Sequence, residues 1–92
     1  MTTKFFHYQG KTSSPFGTRM YTGFTVAYSR VDNQLLVGVA ICNENDRFCK
    51  KLGRVISEGR MKKNPHIVPL VGDQSPEVVA REFGFEMFNG GM

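Results

Sequence analysis

Arg47, Lys51 and Arg54 recur at helical spacing, and Arg60 follows near the small-residue edge of the same predicted helix. Side chains three and four residues apart on a helix share a face. Three cations in one stripe can neutralise phosphate, and arginine adds a planar fork that grips it through two hydrogen bonds. Asn43 reads as the N-cap of this helix, and Asp46 completes an approximate capping box. A helix that begins at the end of a strand presents backbone N–H groups and positive charge at one spot, which suits an anion. The predicted ligand-binding residues are therefore Asn43, Asp46, Arg47, Lys51, Arg54 and Arg60. The competing reading is a solvated helix face on which Glu58 pairs with a neighbouring cation.

The other reactive side chains form weaker constellations. Cys42 and Cys49 with His7 and His66 fit no compact zinc spacing, and both cysteines fall on core-facing or core-adjacent positions, where cysteine acts as a small hydrophobe. Cys49 in the first turn of a helix would be stabilised as a thiolate, but no Asn or Asp is placed to orient either histidine. No metal, cofactor or catalytic residue is expected, and the chain is read as a non-enzyme. Lys11-Thr12-Ser13-Ser14 matches only the end of a phosphate-binding loop, without its glycine frame or a following helix. The aromatics Phe5, Phe6, Tyr8, Phe16 and Tyr21 could stack on bases, but in so small a chain they are first read as core.

The elements that must position these residues follow from pattern. Phe5 to Tyr8 is a short strand, and Gln9 to Thr18 a turn-rich loop. Met20 to Ser29 and Leu35 to Cys42 form an antiparallel hairpin around Asp32 and Asn33. The second strand is apolar on both faces: Leu35, Val37, Val39 and Ile41 on one, Leu36, Gly38, Ala40 and Cys42 on the other. The small residues suit a closely packed helix, and the branched ones need a second cover, either another element or a second subunit. A long helix runs from Glu44 to about Met61, with Phe48, Leu52, Val55, Ile56 and Gly59 as the predicted core stripe. Gly53 and Gly59 each weaken it by about 1 kcal/mol, which points to close approach to a neighbour. Ile67 to Val71 reads as an edge strand because of Pro69. Ser75-Pro76-Glu77 starts a short second helix with Val78, Val79, Phe83, Met87 and Phe88 on its apolar side.

The result is one α+β domain over residues 1–92: an antiparallel sheet of three or four strands covered by one long amphipathic helix, plus a short C-terminal helix. Ninety-two residues bury only about 60% of their unfolded surface, so extra stabilisation is expected. Two cysteines are too few for a disulfide scaffold, and the N-terminal MTTKFFHYQG lacks the apolar core of a signal peptide. A cytoplasmic protein without a membrane span, stabilised as a homo-oligomer (a dimer or larger), is the expectation. A net charge of +4 favours anionic partners.

The segment GVAICNENDRFCKKLGRVISEGR resembles a pattern found in small bacteriophage-encoded proteins, in which a strand leads into a D-x-F-x-[KR]-[KR]-x-G-R helix. Asp46, Phe48, Lys50, Lys51, Gly53 and Arg54 match it. By analogy with phage anti-defence sponge proteins, the resemblance implies non-enzymatic sequestration of a host immune signalling nucleotide in the host cytoplasm, by an oligomer. The alternatives are a nucleic-acid-binding protein using the same basic face, or an inhibitor of a host protein.

Overall fold

The computed structural model describes residues 2–13, 20–43 and 50–88. The elements run β1 (Lys4–Ser13), β2 (Met20–Val31), β3 (Gln34–Asn43), α1 (Lys50–Lys63), β4 (His66–Pro69) and α2 (Pro76–Phe88). The strands form one antiparallel sheet in the order β1-β2-β3-β4. The α+β class is as expected from the sequence, with four strands and two helices.

The hairpin closes where Val31 pairs with Gln34. Asp32 takes the left-handed conformation there, with φ 55°, which Asp tolerates better than most residues. β1 is longer than its apolar run suggests. It continues through Gln9 and Gly10 to Ser13, across a register shift between Gln9 and Thr12. The remainder of the expected loop lies outside the described residues. β4 starts at His66 rather than Ile67 and ends at Pro69 on the sheet edge, where a residue without an N–H is tolerated. α2 begins as its sequence signals: the Ser75 carbonyl accepts the first helical bond from Val79 N–H at 3.1 Å, so Ser75 caps and Pro76 opens the helix.

Strand alternation divides the sheet into two unlike faces. On one, Phe24, Val26, Tyr28, Leu35, Val37 and Val39 form the core with Ala80 and Phe88 of α2, and Phe6, Tyr8, Phe83 and Phe85 pack around them. Gly84 sits directly on Phe24 and Val26, so the glycine that weakens α2 also lets it lie close to the sheet. The other face carries Thr25, Ala27, Ser29, Gly38 and Ala40, which are buried beneath α1. Both faces of β3 are therefore covered within one chain, and its branched residues need no second subunit.

The face of α1 that meets the sheet differs from expectation. Gly53, Ser57 and Met61 are buried, whereas Leu52, Val55 and Ile56 of the predicted core stripe are 56%, 63% and 37% exposed. Phe48 lies outside the described residues. The reason is steric. This sheet face is built of small residues, and the helix that fits it presents small residues in return. A Cβ at Gly38 would run into the Ser57 carbonyl and the Met61 backbone, and one at Gly53 would run into Thr25 Oγ1. Ser57 turns its hydroxyl back to the Gly53 carbonyl at 2.6 Å, so it is satisfied inside the contact.

The three glycines should separate on substitution. Gly38→Ala and Gly53→Ala force the helix off the sheet and should each cost about 1–3 kcal/mol. Gly59→Ala, where a Cβ meets nothing within 4 Å, should instead stabilise the monomer by about 0.5–1 kcal/mol. Urea unfolding of the three variants at low protein concentration checks the order.

Candidate functional site

Two basic regions emerge on α1, on different sides of the helix. Lys50, Lys51 and Arg54 are exposed toward its N-terminal end. Close by, on β1, His7 Nδ1 lies 2.8 Å from Thr25 Oγ1, and the His7 ring stacks on Phe5 with centroids 6.5 Å apart. Burial pushes the His7 pKa below its ordinary value, and the charges of Lys50 and Arg54 push it further the same way. His7 and Lys50 were not among the predicted binding residues. Only the recurrence of cations through Lys50 hinted at the latter, and the β1 register that brings His7 to Thr25 had no signal in local sequence.

Arg60 is turned away from this cluster. Its Nη1 donates to the Val39 carbonyl at 2.6 Å, on the edge of β3. β4 pairs only with Gln34 to Val37, and the Asn33 carbonyl accepts from Leu70 N–H on that same edge at 2.7 Å. Alternate residues of a strand direct their backbone groups to the same edge, so Asn33, Leu35, Val37, Val39 and Ile41 face it together. Past Val37 the β4 cover ends, and an open groove of about 610 Å³ begins. Val39, Val55, Ile56 and Met87 form its apolar walls, and Arg60, Lys63, Asn64 and His66 bring polar groups to it, with Gly59 between. His66 rests against Phe83, ring centroids 5.0 Å apart. None of the described lining residues is Asp, Glu, Phe or Tyr.

The six predicted residues are thus dispersed. Lys51 and Arg54 share an exposed flank, and Arg60 belongs to the groove. Asn43 is the last residue of β3, paired with Tyr21, while Asp46 and Arg47 lie outside the described residues, as does the predicted capping of the helix start. The ion pair described on α1 joins Glu58 to Lys62 at 3.6 Å, so Glu58 does pair within its own helix, but with the cation one turn onward rather than with Lys51 or Arg54.

Phe6 and Tyr8 are core aromatics, packed with Phe24, Phe85 and Phe88. Phe16 lies outside the described residues. Cys42 is half-buried, and Cys49 is outside them. Among the described residues no group of three His, Cys, Asp or Glu side chains is placed to hold a metal. No described helix is long and apolar enough to cross a membrane. No protein-family model matches the chain, and neither does any curated protein or solved structure.

The groove has the properties of a small-molecule site. Its volume falls in the roughly 300–1,000 Å³ range of ligand pockets, with mostly apolar walls and a few convergent polar groups. Among the described residues the lining brings cations and no carboxylate, a balance that favours an anion.

The His7 environment gives a measurable signature. Folding lowers its pKa, so the unfolded chain takes the proton more readily. The protein should lose stability as pH falls through the ordinary histidine value of 6.5 toward the lower folded one. NMR titration should place His7 below an unfolded control, and Lys50→Ala or Arg54→Ala should each move it back up. An unshifted His7 in the parent would show that the cluster does not act on it.

Proposed function

We propose that the protein is a non-enzymatic binder of a phosphate-bearing nucleotide, held in the groove between α1 and the open part of β3. One observation carries the reading: apolar walls from Val39, Val55, Ile56 and Met87 meet Arg60, Lys63 and His66 in a space that no carboxylate lines among the described residues. The apolar walls suit a base and sugar. The guanidinium and ammonium suit phosphate, Arg60 by its fork and Lys63 as a point charge. Among the described lining residues the His66 ring is the flat group available to a base. The phage resemblance supplies the role: sequestration of a host immune signalling nucleotide, without hydrolysis.

A second reading rests on the exposed flank of Lys50, Lys51 and Arg54, which suits the backbone of a nucleic acid. The two readings place the anion on different sides of α1, so they separate by mutation.

Calorimetric titration with cyclic and linear adenine nucleotides and a short DNA provides the test. Lys63→Ala should weaken nucleotide binding by about 1 kcal/mol, since an exposed cation acts through solvent. Arg60→Ala should cost about 1.5–3 kcal/mol, the worth of a hydrogen bond to a charged group. Lys51→Glu with Arg54→Glu should leave nucleotide binding in place. If these last two changes abolish binding, and DNA affinity falls steeply with salt, the nucleic-acid reading holds instead. If no nucleotide and no DNA binds, inhibition of a host protein becomes the better account.

A further inference from the structure

α1 has two contact faces, and the described residues of the chain cover one of them. Gly53, Ser57 and Met61 lie on the sheet. Leu52, Val55, Ile56 and Gly59 recur at i, i+3, i+4 and i+7, the spacing of a helix that packs against a neighbour, yet the three large side chains of this set are exposed. Gly59 adds an independent observation. A glycine in mid-helix is costly, and its usual return is a close approach of backbone to something else. At Gly53 that neighbour is the sheet. At Gly59 an added Cβ would meet nothing within 4 Å, so no contact among the described residues accounts for it.

We infer that this stripe is the surface on which a second copy of the chain docks, with the two α1 helices antiparallel about a two-fold axis between Val55 and Ile56. A two-fold contact uses the same patch on both subunits, so the patch must complement itself. This one does. Antiparallel pairing sets Leu52 opposite the partner's Gly59, and the large side chain fills the vacant space there. The same arrangement brings Lys51 alongside the partner's Glu58 twice, while the Lys63 side chains fall at opposite ends. Parallel pairing would instead set Leu52 against Leu52 and Gly59 against Gly59, crowding one end of the contact and leaving a gap at the other.

A contact two helical turns long is smaller than the roughly 800 Å² per partner of a stable interface. A reversible dimer in the micromolar range follows. Val55, Ile56 and Gly59 also wall the groove, so the second copy lies across its mouth.

The inference goes beyond the nucleotide reading and is tested without any nucleotide. Sedimentation velocity of the full chain across micromolar concentrations should show a monomer passing into a dimer. Leu52→Glu and Val55→Glu alter exposed side chains, so circular dichroism and melting should match the parent, while the dimer dissociation constant should rise at least about tenfold. Lys51→Glu alone should weaken the dimer, and adding Glu58→Lys should restore it. A parent that stays monomeric throughout, or a dimer unchanged by Val55→Glu, overturns the proposal. A parent that stays monomeric yet binds nucleotide would sink the interface alone, and a parent that dimerises yet binds none even when dilute and monomeric would sink the groove reading alone.

Discussion

The backbone contact between α1 and the sheet sets the rest of the molecule. Gly38 on β3 and Gly53 on α1 are the points where a methyl group would collide. With the helix seated so close, its rotation about its own axis is no longer free. Small residues must face inward, so the aliphatic stripe must face outward, and Arg60 is carried to the rim of the sheet where it reaches Val39. A core of larger side chains under α1 would allow a different rotation. The placement of every cation on this helix thus traces back to the absence of two side chains.

The two sides of the sheet solve different problems. Under α2 the bulk of the apolar core is gathered, with Tyr8, Phe24, Phe85 and Phe88 in edge-on and tilted ring contacts at 4.8–5.6 Å. Such pairs add roughly 0.5–1.5 kcal/mol beyond their buried area, a useful supplement in a domain too small for a deep core. Under α1 there is little apolar volume, and close backbone packing takes its place. Ser29 Oγ is buried on that side without a hydrogen-bond partner, a small cost of confining a hydroxyl between sheet and helix.

The strands, the hairpin and the start of α2 were legible in the sequence because each depends on neighbours within a few residues. Asp32 and Asn33 make a turn wherever they sit between two apolar runs, and Ser75-Pro76 starts a helix with little help from elsewhere. The orientation of α1 was not legible in the same way. Leu52, Val55, Ile56 and Gly59 show that the helix has an apolar stripe, but periodicity cannot say whether the stripe meets its own sheet or something outside. The contrary signal was present in the recurrence of Gly53, Ser57 and Met61 four residues apart, facing a strand that carries Gly38 and Ala40. It is a signal of shape rather than hydropathy, and hydropathy was the louder of the two. For the same reason Arg60 was grouped with Lys51 and Arg54, and Lys63 and His66 were missed. The groove joins α1 to the strand after it and to the end of α2, a conjunction that only the tertiary fold creates.

The hydrogen bond from Arg60 to Val39 also bears on solubility. A sheet edge with unpaired backbone groups is a template on which another extended chain can grow. Here the edge of β3 past Val37 is bordered by valine and isoleucine, a composition that favours such growth. The guanidinium occupies a carbonyl that an incoming strand would need, and its charge must be buried or displaced before one can add. The arginine thereby acts as a gatekeeper. A protein that lost it would keep its core and its helices, yet present an apolar strand edge to its neighbours, and the consequence would appear at high concentration as slow aggregation rather than as unfolding.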